Sequence, residues 1–214
     1  MRIRIATIAL LFVVPLLAGC TAPAADPTST PDASTPEPSP AATAPEPSPE
    51  ATAPDPDEPS TWTISADGVG PVLIGGDFDG TLAELPTTWT SDGAACSWAA
   101  FWNAPDSSFG MHFVRPADDQ SDPISEISAS TMADSIAGPV GPETAEGLGV
   151  GATRDEILAA YPDAEQGTGS IDGEWIRVPS DSDGQIFFQF LTGAEQAWGV
   201  TVTTAGEPSY EVCG

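Results

Sequence analysis

Few side chains in this sequence are equipped for covalent chemistry. It has one histidine, His112, no lysine, and three cysteines, Cys20, Cys96 and Cys213. His112 sits in Phe109-Gly110-Met111-His112-Phe113-Val114, where strand alternation sends it away from Phe113. It could act as general base for a serine nucleophile. No Gly-x-Ser-x-Gly elbow accompanies it, so it reads as an ordinary strand histidine. Carboxylate pairs of the glycosidase kind could be drawn from the 24 acids between Thr61 and Gly214, and that abundance makes no pair distinctive. Asp77-Phe78-Asp79-Gly80 and Asp181-Ser182-Asp183-Gly184 echo pieces of a calcium loop, but neither runs on to the distal Glu such a loop needs. Gly147-Leu148-Gly149-Val150-Gly151 precedes a helix without the third-glycine spacing or the β-α alternation of a dinucleotide site. No catalytic residue, metal site or cofactor is therefore expected.

Charge narrows the partners. Asp and Glu number 32 against five Arg, for a formal net charge of −27. Phosphate backbones and bare anionic lipid both need a basic surface, so nucleic-acid binding is excluded.

The elements that would carry any site begin after residue 60. At the N-terminus, Arg2 and Arg4 precede an apolar run from Ile5 to Leu17, the layout of a secretory signal peptide and short for a membrane span. Leu17-Ala18-Gly19-Cys20 resembles the lipobox of bacterial lipoproteins. That resemblance implies cleavage after Gly19 and a diacylglycerol thioether on Cys20, anchoring the protein to the outer face of the cell membrane. Residues 21–60 contain only Pro, Ala, Ser, Thr, Asp and Glu, with 12 prolines and a near-repeat of Pro36–Ala44 in Pro45–Ala53. Nothing there offsets the entropy of ordering, so the segment reads as a disordered, extended linker. A stalk is the leading use; a Pro-rich ligand for another module and a glycosylated stalk are the alternatives.

Residues 61–214 hold all six Trp and recurrent strand-like runs: 69–74, 95–102, 109–114, 175–178, 186–191, 198–203 and 210–213. Thr153-Arg154-Asp155-Glu156 opens a helix through a capping box, and Pro162 ends it. Gly80–Leu85 before Pro86 and Thr131–Ala137 before Gly138 are further helix candidates. Gly75 and Gly151, Leu82 and Leu158, and Pro86 and Pro162 share one spacing, which suggests a duplication with copies at about 61–138 and 139–214.

Val150-Gly151-Ala152-Thr153-Arg154-Asp155-Glu156-Ile157 resembles the helix start of small barrel-assembly accessory lipoproteins, and the domain is similar to the tandem-repeat β-lactamase inhibitor protein family. The resemblance implies an α+β fold of two tandem helix-plus-antiparallel-sheet repeats, and protein binding rather than catalysis. The first copy departs from it, because Gly75-Gly76-Asp77-Phe78-Asp79 lacks the Thr-x-x-Glu cap. No inhibitory contact residue carries over.

With Cys20 lipidated, Cys96 and Cys213 remain as an even pair in an exported chain, and a disulfide is expected. Such a bridge stabilises by about 4–5 kcal/mol on the chain-entropy model. Two readings of function follow. One is a membrane-anchored envelope module that binds a protein or cell-wall ligand, with Trp89, Trp98, Trp102, Trp175 and Trp198 as the pool for its surface. The other is a carboxylate-based cell-envelope hydrolase.

Overall fold

Alternation of apolar and polar side chains decides most of this chain, because strands facing a core must bury every second residue. The computed structural model describes residues 54–117, 121–133, 135–169 and 173–213. The leader, Cys20 and the linker up to residue 53 lie outside the described residues. In order, the elements are β1 (Thr63–Ser65), β2 (Gly68–Val69), β3 (Val72–Leu73), α1 (Phe78–Glu84), β4 (Thr90–Asp92), β5 (Cys96–Asn103), β6 (Gly110–Val114) and β7 (Glu126–Ser130). They continue as β8 (Val140–Thr144), β9 (Gly149–Val150), α2 (Arg154–Ala160), β10 (Glu165–Thr168), β11 (Gly173–Val178), β12 (Gln185–Leu191) and β13 (Gly199–Thr203).

The strands form two sheets. The smaller runs β3-β2-β1-β8-β9, with β1 and β8 parallel. The larger runs β10-β11-β12-β13-β7-β6-β5-β4 and is antiparallel throughout. At its centre β13 pairs with β7, placing Thr201 opposite Ser128.

This architecture overturns the expected α+β class of two tandem helix-plus-sheet repeats. Among the described residues the fold is mostly β, and its two helices have seven residues each, too short to form a layer. A second sheet covers the large one instead. Its β1 and β8 come from opposite sides of the expected copy boundary and pair directly, so the two stretches are not separate units. The third helix candidate also fails. Residues 131–133 and 135–137 form no helix, because Thr131 turns the chain by donating to Ser108 O (2.8 Å) and accepting from Ala133 N (3.2 Å). Residues 210–213 are likewise not a strand.

Both helices start where side chains satisfy their free N–H groups. At α2, Thr153 accepts from Glu156 N, and Glu156 accepts from Thr153 N (2.9 Å), the expected capping box. At α1, Asp77 replaces that box by accepting from Gly80 N (2.6 Å), so the helix begins at Phe78 rather than Gly80. An arginine then fastens each helix to the large sheet. Arg115, 6% exposed, lies 4.3 Å over the Phe78 ring, pairs with Asp79 and donates to Ser97 O. Arg154 lies 4.0 Å over Phe190, pairs with Glu174 and donates to Ala194 O. Stacking on a ring while donating at the edges is how a guanidinium is buried without an unmet charge.

Between the sheets lies one continuous core. Trp62 stacks on Trp89, Trp89 on Trp102, and Trp102 meets Phe109, with centroids 5.3–6.3 Å apart. Phe113 touches both Trp89 and Phe78. Offset and tilted contacts of this kind add to the large area that aromatic rings bury. Replacing the fully buried Phe113 by Ala is expected to cost about 3–5 kcal/mol in urea unfolding. Met132→Ala, at a side chain 92% exposed, should stay within about 0.5 kcal/mol.

Candidate functional site

The large sheet has a second face, turned away from the smaller sheet. Pairing registers set a row across it: Phe101, His112, Ser128, Thr201, Phe187, Arg177 and Glu165. Although five of these seven residues are polar, Ser128 is 4% exposed and Thr201 1%. The segment after β13, Thr204–Cys213, runs back over this face. Ser209 donates from its backbone and its hydroxyl to Glu126, Trp98 donates from Nε1 to Val212 O (2.6 Å), and Cys213 is bonded to Cys96. Val212 packs against a small cluster of Cys96, Ala99 and Val114. Cys96 and Cys213 are thus the rivets of a strap over a polar sheet face.

Between this strap and strands β11 and β12 opens a cleft of about 260 Å³, whose walls include Trp175, Gln189, Leu191, Trp198, Glu207 and Tyr210. Among the described residues four large apolar side chains stay exposed, Leu73, Met132, Leu191 and Tyr210, and two of the four stand on this cleft. Gly167 shapes it. A Cβ there would come within 2.2 Å of the Trp175 indole, so only glycine lets the ring lie flat across β10. Phe187 meets the same indole edge-on. The Trp175 Nε1–H is buried with no partner among the described residues. Gln189 is aimed by a relay: the Ser128 and Thr201 hydroxyls are 2.7 Å apart, and Thr201 donates to Gln189 Oε1 (3.1 Å). Its oxygen is held by β13, which leaves the amide NH₂ as the end available to the cleft.

A larger depression of about 610 Å³, bordered by Asp67, Leu73, Asp122, Pro123 and Asp183, offers carboxylates and backbone without an aromatic platform. Its acids do not converge: among the described residues no group of three or more His, Cys, Asp or Glu is arranged to hold a metal ion. The cleft is the better-built site.

The five tryptophans of the sequence-derived pool separate. Trp89 (4% exposed) and Trp102 (9%) belong to the core and have no surface to offer, because the smaller sheet covers them. Trp98 is committed to the strap. Trp175 and Trp198 are half-buried and share the cleft. Sequence reasoning missed Gln189, Leu191 and Tyr210; the outward position of Gln189 in the alternation Ile186-Phe187-Phe188-Gln189-Phe190 was the one available signal. The paired acids take other roles. Asp77 caps α1, residues 181–184 form the bend between β11 and β12, and Gly147–Gly151 contains β9.

His112 faces Ser128 across β6 and β7, but the Ser128 hydroxyl is engaged with Thr201, and the imidazole lies against Phe101. Burial lowers its pKa to about 4. Glu126, one residue pair along the same face, is shifted the other way: burial raises its pKa, partly offset by the hydrogen bonds from Ser209 and Thr203.

No protein-family model matches the chain, and no curated protein does. Among solved structures it is similar to a DUF4309 family protein, YjgB, of Bacillus subtilis, at 13% identity over 69% of this chain and 91% of that one, with a TM-score of 0.38. It is also similar to an extracellular protein containing an SCP domain from Bacillus anthracis, at 12% identity over 61% of this chain and 43% of that one, with a TM-score of 0.34. Scores this low carry no argument about fold or function.

The two buried titrating groups make stability depend on pH with opposite signs. His112 is held neutral, so its contribution is full above pH 6.5 and is lost as pH falls towards 4, by up to about 3 kcal/mol. Glu126 is easier to protonate folded than unfolded, so its burial cost is present at neutral pH and relieved by acid. Urea unfolding between pH 7 and 4 should show His112→Gln losing the destabilising limb while the Glu126 contribution remains. An unchanged pH profile in that variant would show that His112 is not held neutral by the fold.

Proposed function

We propose that this chain is a lipid-anchored envelope protein whose globular domain is a binding module, with the cleft between strap and sheet as its ligand site. The observation that carries this reading is the gathering of exposed apolar side chains and unengaged donors in one small cleft. Leu191 and Tyr210 stand open to water, and the indole and amide N–H groups of Trp175 and Gln189 lack partners among the described residues, in a domain whose other Trp and Phe residues are largely packed. Apolar surface and unmet donors both cost free energy unless something binds there. Support for the anchor comes from the sequence, through Leu17-Ala18-Gly19-Cys20 and the linker behind it. Among the described residues no helix is long and apolar enough to cross a membrane. The ligand is a protein or a component of the cell wall.

A second reading, the carboxylate-based envelope hydrolase, is favoured by one observation: Glu207 borders the cleft. Against it, the other acid on that border, Glu174, lies with Phe190 on the opposite face of the sheet and is tied there to Arg154, which suits a structural carboxylate better than a general acid.

Two experiments on the full chain test these readings. Metabolic labelling with a radioactive fatty acid should mark the wild type and not Cys20→Ala, which should also leave the detergent phase on Triton X-114 partition; label retained in Cys20→Ala sinks the anchor. Crosslinking in intact envelopes should yield a product that disappears in Trp175→Ala. Turnover of wall glycan abolished by Glu207→Gln would transfer the cleft to the hydrolase reading.

A further inference from the structure

The cleft combines features that define the class of small group it takes. Its floor is one flat indole, Trp175, seated on Gly167 and braced by Phe187. Around the ring stand two donors without partners among the described residues, Trp175 Nε1–H and the Gln189 amide NH₂. Glu174 also borders the cleft, but it shares the opposite face of β11 and β12 with Phe190, and its carboxylate is held there by Arg154. A ligand must therefore present a flat C–H face to the indole and acceptors to the indole and amide N–H.

Net charge in the ligand is disfavoured on both sides. The domain has three cations, and the two nearest the cleft, Arg154 and Arg177, are spent on Glu174 and Glu165. An anion would meet an acidic domain with no free cation at the cleft to balance it. A cation would find Glu174 turned to the other face and neutralised by Arg154, and would leave the two orphan donors unmet, because an ammonium or guanidinium accepts no hydrogen bond. Hydroxyl groups donate and accept, and a pyranose carries them around an apolar C–H face. The volume, about 260 Å³, lies just under the roughly 300–1,000 Å³ of sites for drug-sized ligands, as suits one ring rather than a chain.

Resting on the proposed binding function, and deepening it, we infer that the Trp175–Gln189 cleft binds a single pyranose ring of a neutral glycan. The ring stacks on Trp175, the Ser128–Thr201–Gln189 relay fixes the amide donor that receives a sugar oxygen, and the strap supplies the second wall. Gln189 is a binding residue; Gly167 and Thr201 are positioning residues.

The test is calorimetric titration of the full chain in detergent with chitotetraose, maltotetraose and cellotetraose. An oligogalacturonate and a hexa-arginine peptide serve as the charged counterparts. At least one neutral oligosaccharide should bind and shift the tryptophan emission. Trp175→Ala should weaken that binding by about tenfold or more, given what stacking on one aromatic ring contributes elsewhere. Gln189→Leu should weaken it by about three- to tenfold, and Gly167→Ala, which displaces the indole, should also weaken it. Near-UV circular dichroism and the mass of the oxidised Cys96–Cys213 form confirm that each variant is folded. If Trp175→Ala does not fold, Gly167→Ala and Gln189→Leu carry the test.

No neutral oligosaccharide bound by the folded wild type, or binding indifferent to both Gly167→Ala and Gln189→Leu, overturns the inference. So does cleft-dependent binding of the hexa-arginine peptide or the oligogalacturonate in place of the neutral sugars. The two levels fail separately. An envelope crosslink that depends on Trp175 without any sugar binding removes the glycan and leaves the binding module. Sugar binding without lipid on Cys20 removes the anchor and leaves the cleft.

Discussion

An eight-stranded sheet has two faces to cover, and among the described residues there is only one other sheet to cover them with. One face receives β1–β3, β8, β9 and the two short helices, and there the aromatic chain from Trp62 through Trp89 and Trp102 to Phe109 fills the space between the sheets. Over the other face the described residues place no sheet. It is closed by ten residues of irregular chain, and such a strap brings little apolar area of its own. The face it covers is accordingly polar, its hydroxyls bonded to one another, and the strap is fixed by a covalent bond and by Ser209 on Glu126 rather than by burial alone.

The cleft follows from that division. A strap narrower than the sheet beneath it leaves part of the second face uncovered, and here the gap falls over β11 and β12. The same construction explains why the groups in the gap are well oriented. Trp175 and Gln189 stand on strands whose register is set by neighbours on both sides, and they occupy directly opposed positions. Side chains on such a platform keep their geometry without a ligand, which lowers the ordering cost of binding one. The disulfide ties the far wall to the first residue of β5, so the site draws on segments 117 residues apart in the pair that closes it.

How much of this could be read from the sequence depended on whether the signal was local. The capping box at Thr153 and Glu156 was legible, because four consecutive residues determine it. So were β5, β6, β12 and β13, whose alternation survives on both faces. β7 was not, since Glu126-Ile127-Ser128-Ala129-Ser130 carries only two apolar residues; it is a central strand because its polar side lies under the strap, a partner some 80 residues away. The same blindness affected fold class. Two capped, proline-stopped helices looked like layers, whereas at seven residues each they bury mainly Phe78 and Ile157 and leave the covering role to short strands with almost no sequence signature. For the cleft, Trp175 and Trp198 were in view among five candidates. Only burial separated them from Trp89 and Trp102, because an indole reads the same in a core and on a surface.

The scarcity of positive charge completes the physical picture. Arg115, Arg154 and Arg177 all make ion pairs inside the fold, two of them while stacked on a phenylalanine. No lysine adds a mobile cation to the surface, so the remaining carboxylates repel one another and any approaching anion. Such a field cannot supply affinity for phosphate or for an acidic polymer, and it makes contact with a second copy of the chain costly. Affinity must then come from short-range terms: ring stacking, and hydrogen bonds to donors already desolvated. Those terms are concentrated where Trp175, Gln189, Leu191 and Tyr210 meet. Because they are uncharged, binding there should respond weakly to salt, whereas association driven by the acidic surface would fade as ionic strength rises.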